Sequence, residues 1–498
     1  MEDKGNKKNG SSLRWWILLT VIIGTFLGRL DQTIVNLALP KIISDFGITV
    51  SAAGWIATAY ILANAVFVPI WGKLGDTIGR KKVYIWGFSI FILGSALAGL
   101  SWNLSSMIVF RIIQSIAGSA DYPTAMAILA VTFKEGKERA QALGIWSSSF
   151  AAAVVFGPLL GGPLIDNFGW RSVFLINIPI GILGIVMAMR FINESRSKQI
   201  TKYFDWWGAF ALGGMLSALV LVLDKGSDWG WLSTNSLLCY FFVVMLLGIF
   251  IRIEHHVPEP IVDLKFFKIP AFVNALVNNF VVFMGMMGGV FLIPIFAQTF
   301  LGYNATQAGY LFVPMAIAMM AAAPIGGMLT GKVKSKYVIF ASTLVASLGI
   351  FLFTGLDPKS TALAIIIPLS VMAFGLGFGM AQRTNIVASV VPQHEIGIAS
   401  SILALVRNIA GAFGIAIFAT ILSDRTNTNV FMINSFSKLS SHVPLDIKKY
   451  IMLITLKAQI DAYDYVFLIA SIIVFLGSFT ILFLNLKNER TDIKVHVE

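Results

Sequence analysis

Charge is scarce in this chain: only 12% of its 498 residues are Asp, Glu, Lys or Arg, about half the share of an ordinary soluble domain. Water therefore cannot be its only solvent. Acids are scarcer than bases, 25 against 37, which leaves a formal charge of +12. No soluble stretch is long enough to gather that excess into a basic domain, so nucleic acid is not an expected partner. Cysteine is reduced to Cys239, in an apolar run, which excludes disulfides and a cysteine-ligated metal site. A Gly-x-x-x-x-Gly-Lys-Ser/Thr loop is lacking, as is any soluble domain to house a nucleotide. Direct drive by ATP is thus not expected, nor is a cofactor, a metal or an enzymatic activity. The first apolar run passes straight into Arg29 and Asp31 without an Ala-x-Ala-like cleavage site, and is read as a retained span.

What the sequence has in abundance is apolar length. Hydrophobic residues make up 57% of it, and runs near the ~20 residues that a helix needs to cross a bilayer recur from Trp15 to Leu486. Their punctuation by polar, Gly and Pro residues predicts helices over 15–39, 51–72, 82–100, 105–131, 141–165 and 172–191. Two more follow over 206–224 and 234–252, then six over 271–299, 306–330, 337–356, 361–391, 396–421 and 463–486. The expected fold is an all-α integral membrane protein of fourteen transmembrane helices. Its parts would be a cytoplasmic tail 1–14, a six-helix bundle 15–191 and a linker 192–270 with two extra spans. A second six-helix bundle 271–486, with a long outer loop 423–462, and a cytoplasmic tail 487–498 would complete it.

Positive charge alternates with the expected loops. With the N-terminus inside, cytoplasmic segments hold Lys73, Arg80, Lys81 and Lys82, then Lys134, Lys137 and Arg139, and later Lys332, Lys334 and Lys336. The short outer loops offer only Lys41, Arg171, Lys225 and Lys359. This asymmetry predicts both termini in the cytoplasm of an inner or plasma membrane. A repeat is also visible. Residues 69–83 align without a gap to 324–338, with Pro, Ile, Gly, Leu, Lys and Val coinciding at six positions. If the second helix corresponds to the tenth and the third to the eleventh, the chain is two parallel halves with a two-helix insertion, a known transporter plan.

The first copy, Gly72-Lys73-Leu74-Gly75-Asp76-Thr77-Ile78-Gly79-Arg80-Lys81-Lys82, is dense in glycine and charge. Glycines permit a tight turn. Asp76 is expected to meet a helix N-terminus and a neighbouring arginine such as Arg80, a latch made in one conformation and absent in the other.

Ionisable groups within the spans are few, and each is a functional candidate because intramembrane charge is costly. Counted at ~1.5 Å per residue, Asp31 stands roughly two-thirds to three-quarters of the way across the first helix, and Arg111 at a similar depth on the fourth. A pair there would respond to solvent access, giving gating a route to proton uptake. The tenth helix, Thr306–Thr330, carries no acid. Arg383 is read as snorkelling to the cytoplasmic water boundary. Met284, Met286, Met287, Phe291 and Phe296 would suit an adaptable cavity, although packing or lipid-facing roles are the better expectation.

The loop resembles the Gly-x-Leu-x-Asp-x-x-Gly-Arg-Lys hallmark of the major facilitator superfamily. Leu30-Asp31-Gln32-Thr33-Ile34-Val35-Asn36-Leu37-Ala38-Leu39-Pro40 is similar to the first-helix signature of its fourteen-helix drug:proton antiporter branch. Gly157-Pro158-Leu159-Leu160-Gly161-Gly162 resembles that branch's antiporter motif on helix five. Trp170-Arg171, Asn177 and Arg407-Asn408-Ile409-Ala410-Gly411 extend the likeness over nearly the whole chain. Arg111 with Gln114 matches the fourth-helix motif, whose arginine the resemblance associates with proton coupling. Multidrug pumps belong to this branch, so proton-driven export of small amphipathic compounds is what the resemblance implies.

Two charges depart from the family pattern. Arg29 stands where an apolar or small residue is usual, and Asp121 where an aliphatic one precedes Pro123. By depth they differ by ~6 Å, so an Arg29–Asp121 pair is expected, with Asp121 as a direct cation site the alternative. Arg29, Asp121 and Gln114 are the expected substrate-cavity residues, Asp31 and Arg111 the proton-coupling ones. Gly72, Asp76, Gly79 and Arg80 would form the latch. Gly157, Pro158, Gly161 and Gly162 would either serve ordinary close packing or seal the cavity against proton leak. The expected partners are an amphipathic substrate, protons and membrane lipids, with the protein acting as a monomer. Two rivals are a transporter of lipids or endogenous metabolites on the same fold and a non-transporting membrane sensor. The intact loop and the Asp31/Arg111 combination argue against the sensor.

Overall fold

An apolar span has no water to satisfy its backbone, so it closes its hydrogen bonds within helices. The computed structural model describes residues 4–133, 137–196, 205–258, 260–329, 332–390, 396–436 and 444–483, almost all of them helical and none in a strand. The first bundle comprises α1 (Lys4–Phe46), α2 (Val50–Ile78), α3 (Arg80–Gly99), α4 (Leu104–Gly118), α5 (Asp121–Thr132), α6 (Lys137–Phe168), α7 (Ser172–Leu175) and α8 (Asn177–Phe191). Then come α9 (Trp206–Trp229) and α10 (Thr234–His256). The second bundle comprises α11 (Pro270–Phe300), α12 (Ala305–Tyr310), α13 (Phe312–Met328), α14 (Ser335–Phe351), α15 (Ala362–Ser389), α16 (Ile396–Phe436) and α17 (Pro444–Thr480).

Eleven segments among the described residues are long and apolar enough to cross a membrane. The α4–α5 pair, α6 and the shorter α14 fill the remaining columns, a set consistent with the fourteen expected. Local chemistry sets the boundaries. Thr49 caps α2 by accepting from Ala52 N at 3.2 Å, and Asn103 with Ser106 forms a capping box at the start of α4. Gly79, at φ +122°, makes the break between α2 and α3 that an L side chain would resist. The end of the molecule at this turn is called inner below, and the opposite end outer.

The two bundles repeat one set of partnerships. In the first, α1 packs on α6, α2 and α3 on α4, and α3 on α8. In the second, α11 packs on α16, α13 and α14 on α15, and α14 on α17. These are the same columns in the same order, and the repeated segments at 69–83 and 324–338 occupy the matching corners. The halves meet where α2 touches α16, α1 touches α11, and α6 touches α12 and α13. Outside them lies the insertion. α9 packs on α2 and α16, whereas the apolar window of α10 is only 17% buried against 72% for α11, leaving α10 a lipid-facing rim. Exposed tryptophans such as Trp15, Trp86, Trp102 and Trp207 suit the interfacial zones of a bilayer.

The expected outer loop 423–462 is largely helix instead, since α16 continues to Phe436 and α17 begins at Pro444. Polarity suggested a loop there, but residues 424–436 contain neither Gly nor Pro, so nothing stops the helix from propagating.

Candidate functional site

Asp31, on the face of α1 turned toward the bundle interior, is fully buried. A carboxylate in such a place must be compensated. Arg111 Nη1 donates to its Oδ2 at 2.5 Å, and Gln114 Nε2 and Asn177 Nδ2 donate to Oδ1 at 3.0 and 2.8 Å. Arg111 and Gln114 are three residues apart on α4 and so share a face. The guanidinium also donates to Gln114 Oε1 at 2.7 Å and lies 4.0 Å above the Tyr60 ring of α2. Ser95 of α3 closes the network, accepting from Asn177 and Gln114 at 2.8 and 3.0 Å and donating to Phe174 O at 2.9 Å. Five columns of the first bundle thus converge on one buried acid.

The structure brings Asp31 and Arg111 together as the sequence predicted. It also moves Gln114 from the expected substrate cavity into this network, because its spacing from Arg111 leaves it no other face. Asn177 and Ser95 were not singled out as site residues. The available signal for Asn177 was an amide inside the apolar run Val173–Gly181; Ser95 carried none, since serine is common in packed helices.

Arg29 and Asp121 do not form the expected ion pair. Arg29 Nη1 donates to Gln32 Oε1 at 3.1 Å on its own helix, while Asp121 Oδ2 accepts from Thr25 Oγ1 at 2.7 Å. The second oxygen of Asp121 is buried without a hydrogen-bond partner among the described residues. Asp121 also lines a narrow pocket inside the first bundle, together with Gly24, Gly28, Tyr84 and Phe88. Equal depth brought the two charges within electrostatic range, but depth says nothing of azimuth, and Asp121 turns inward.

At the inner turn, the Asp76 side chain lies outside the described residues. Gly72 packs near Pro123, and Arg80 donates through N to Ser195 O at 3.0 Å and through Nη1 to Ala127 O at 3.4 Å. Among the described residues, Glu194, just beyond α8, meets the start of α3, accepting from Lys81 N at 3.1 Å and Lys82 N at 3.3 Å. A Cβ at Gly79 would overlap that carboxylate. The glycine therefore serves both the turn and the cap.

At the outer end the glycines of α6 split between two neighbours. A Cβ at Gly157 or Gly161 would overlap Thr33 or Ile34 of α1, and one at Gly162 would overlap the Thr306 backbone of α12. In return Gly309 of α12 packs on the carbonyl of Pro158. One turn beyond Gly162, Asp166 accepts from Ala305 N at 3.0 Å, Thr306 N at 2.9 Å and Thr306 Oγ1 at 2.6 Å. Gln298 of α11 reaches Leu37 O on α1 at 3.0 Å. These contacts close the outer ends of the two halves on each other.

The second bundle holds two intramembrane arginines. Arg383 of α15 does not snorkel: it is 1% exposed. It donates to Asn278 Oδ1 at 2.9 Å, Ser342 Oγ at 2.9 Å, Thr343 Oγ1 at 2.8 Å and Leu376 O at 3.4 Å. Arg407 of α16 is partly exposed, bonded to Asn279 Oδ1 at 3.1 Å and Thr384 Oγ1 at 3.3 Å. Of the α11 residues expected to pack, Met284, Met286, Phe291 and Phe296 are buried in the core and Met287 packs against it. No group of residues fit to hold a metal is found among the described residues.

Comparison with known proteins accords with this architecture. The family model described as Major Facilitator Superfamily matches residues 21–415. The chain is 34% identical to the multidrug transporter protein MdtP of Bacillus subtilis (strain 168), over 85% of this chain and 78% of that protein. It is 30% identical to multidrug resistance protein 3 of the same organism over 96% of each, and 30% identical to the riboflavin transporter RibZ of Clostridioides difficile (strain 630) over 84% and 90%. A crystal structure of a bacterial homolog of the human lysosomal transporter Spinster, inward-facing and unoccupied, shares the fold with a TM-score of 0.68 at 16% identity, covering 94% of this chain and 98% of that one. Paired bundles, a buried acid network and these matches lead to one assignment: the chain belongs to the major facilitator superfamily, as a multi-pass membrane transporter and not an enzyme.

Proposed function

We propose that this protein is a secondary active exporter that exchanges small amphipathic compounds for protons by alternating access, with Asp31 as the proton carrier. The observation that carries the reading is the fully buried Asp31–Arg111 pair with its amide donors. Protonating Asp31 removes the charge that Arg111 compensates, so Arg111 must then find another partner or water, and proton binding becomes coupled to rearrangement of α1 against α4. Gln114, Asn177 and Ser95 position the carboxylate. The close packing at Gly157, Pro158, Gly161 and Gly162 supports a state closed on that side, and packing of this kind is what a seal against proton leak requires. Gly72, Asp76, Gly79 and Arg80 would make the corresponding inner latch, with Glu194 fixing the turn from which it acts.

The lysine and arginine asymmetry supports an inner or plasma membrane location with both termini in the cytoplasm, and a monomer suffices for the mechanism. Relatives named as multidrug transporters support drugs or similar amphipaths as cargo. A second reading, an endogenous metabolite as cargo, is favoured by the relative named as a riboflavin transporter and by the arginines of the second bundle. The test is accumulation of a dye panel in everted vesicles with and without an imposed pH gradient. Gradient-dependent uptake supports exchange with protons. Uptake that ignores the gradient would leave a facilitator.

A further inference from the structure

The two halves carry unequal buried charge. In the first, Asp31 and Arg111 cancel, and Arg29 and Asp121 lie within electrostatic range of each other. In the second, Arg383 and Arg407 are close enough to feel each other's charge. All their hydrogen-bond acceptors are amide, hydroxyl or carbonyl oxygens. No ion pair with a carboxylate is present at either arginine among the described residues. A surplus of fixed positive charge within a membrane is costly and marks a functional site by default.

Arg407 is placed to use that surplus. Four residues further along α16, on the same face, a Cβ at Gly411 would lie 3.2 Å from Met287 of α11 and 4.0 Å from Ile61 of α2. The halves therefore touch at Gly411, and Arg407 stands one turn toward the inner end, where it is partly exposed. Across from it Tyr122 of α5 is within electrostatic range of both Arg407 and Arg29. The walls nearby are aromatic. The Phe283 ring is 5.0 Å from the guanidinium carbon of Arg407, Phe280 meets Phe413 edge-on at 5.8 Å, and Tyr122 packs on Trp146 at 5.4 Å.

We propose that this protein binds the anionic group of an aromatic substrate at Arg407, with Arg383 behind it holding the potential positive and the surrounding rings taking the apolar body. The proposal rests on the exporter reading for its biological sense and names the substrate class for that reading. Guanidinium suits a planar carboxylate, which it can bind through two parallel hydrogen bonds. Asn279 and Thr384 orient Arg407 without neutralising it, so its charge stays available to the ligand. Asp121 does not compete, because its carboxylate turns into the first bundle toward Thr25.

The test is equilibrium binding of two xanthene dyes to the purified full-length protein in detergent, read by fluorescence anisotropy. Fluorescein is anionic and rhodamine 123 cationic on the same ring system. Saturable fluorescein binding at least tenfold tighter than that of rhodamine 123 is expected. Arg407→Gln should weaken fluorescein at least tenfold and leave rhodamine 123 unchanged or tighter, and Arg407→Lys should recover part of the loss. Equal affinities for the two dyes, or fluorescein binding indifferent to Arg407→Gln, would overturn the site. Should that variant not purify, Asn279→Asp decides, since it keeps the arginine but supplies a competing carboxylate; undiminished fluorescein binding there counts against the proposal. Binding is read without a gradient. Loss of proton-driven uptake with fluorescein binding intact would therefore remove the exchange mechanism and leave the anion site standing.

Discussion

Arg111 and Arg383 stand on the fourth column of their respective bundles, and each is tied to the first column by a side-chain hydrogen bond; Arg383 also bonds the third directly, whereas Arg111 reaches it only through Gln114. The first column supplies the difference. In one bundle it presents Asp31, 2.5 Å from the guanidinium, and in the other Asn278, 2.9 Å away. Both arrangements set oxygen acceptors against a buried cation, but only the first includes a carboxylate, the group that the proposed mechanism would protonate. The second offers its cation only neutral acceptors. On the proposed mechanism the two copies of one scaffold divide the work, with proton exchange at Asp31 in the first half and a standing positive potential in the second.

The contrast can be broken most severely by making the first bundle resemble the second. Asp31→Asn should abolish pH-driven accumulation in everted vesicles. It should also lower thermal stability, since an uncompensated buried cation commonly costs ~3–5 kcal/mol. Adding Arg111→Gln should restore much of the stability and none of the accumulation. Gradient-driven uptake at half the original level in the single variant would remove Asp31 from the carrier role.

Parting the halves gives the next largest effect. Gly162→Ala places a methyl against the Thr306 backbone, so the outer ends of α6 and α12 must separate. Spin labels on those ends should report a longer distance, and vesicles should lose an imposed pH gradient faster; unchanged distances would mean that the helices absorb the methyl by sliding. Converting the second bundle toward the first is gentler. Asn278→Asp brings a carboxylate to Arg383 at the cost of two donated bonds, to Gly477 O and Thr343 Oγ1, each worth about 1 kcal/mol. Thermal stability should stay within a few degrees while fluorescein affinity falls several-fold. An affinity that does not fall would separate Arg383 from the potential at Arg407.

The smallest effect is expected at Arg29 and Asp121, which bond to Gln32 and Thr25 rather than to each other. A cycle of Arg29→Leu, Asp121→Leu and the double variant, read as thermal stability in one detergent, should give a coupling below ~1 kcal/mol. A coupling of several kcal/mol would restore the direct pair that equal depth suggested.

Much of this was legible before the structure because bilayer thickness imposes a ruler on the sequence. Spans, the two-helix insertion and the depth of Asp31 and Arg111 follow from counting residues at a known rise. Azimuth does not follow, and two misplacements trace to it. Arg29 and Asp121 share a depth but not a face, and Gln114 turns from the cavity to the network. Arg383 was assigned to the water boundary because its acceptors, Asn278, Ser342 and Thr343, come from two other helices and carry no charge to reveal them. The Glu194 cap and the Asp166 contact were hidden for another reason. Both are single acids near span ends, indistinguishable in sequence from solvated ones until the partner helix is in place.

The helices α16 and α17 exceed the bilayer. At ~1.5 Å per residue their 41 and 37 residues are each longer than the ~30 Å hydrocarbon core requires, and they pack on each other. Since α16 belongs to the second bundle and also touches α2, any rocking of one half on the other must swing the projecting part as a lever whose tip moves farther than the gate itself. A rigid binder clamped to that lever would stall the transport cycle without entering the cavity, and a fluorophore attached to it would register each turnover as a displacement in the surrounding water.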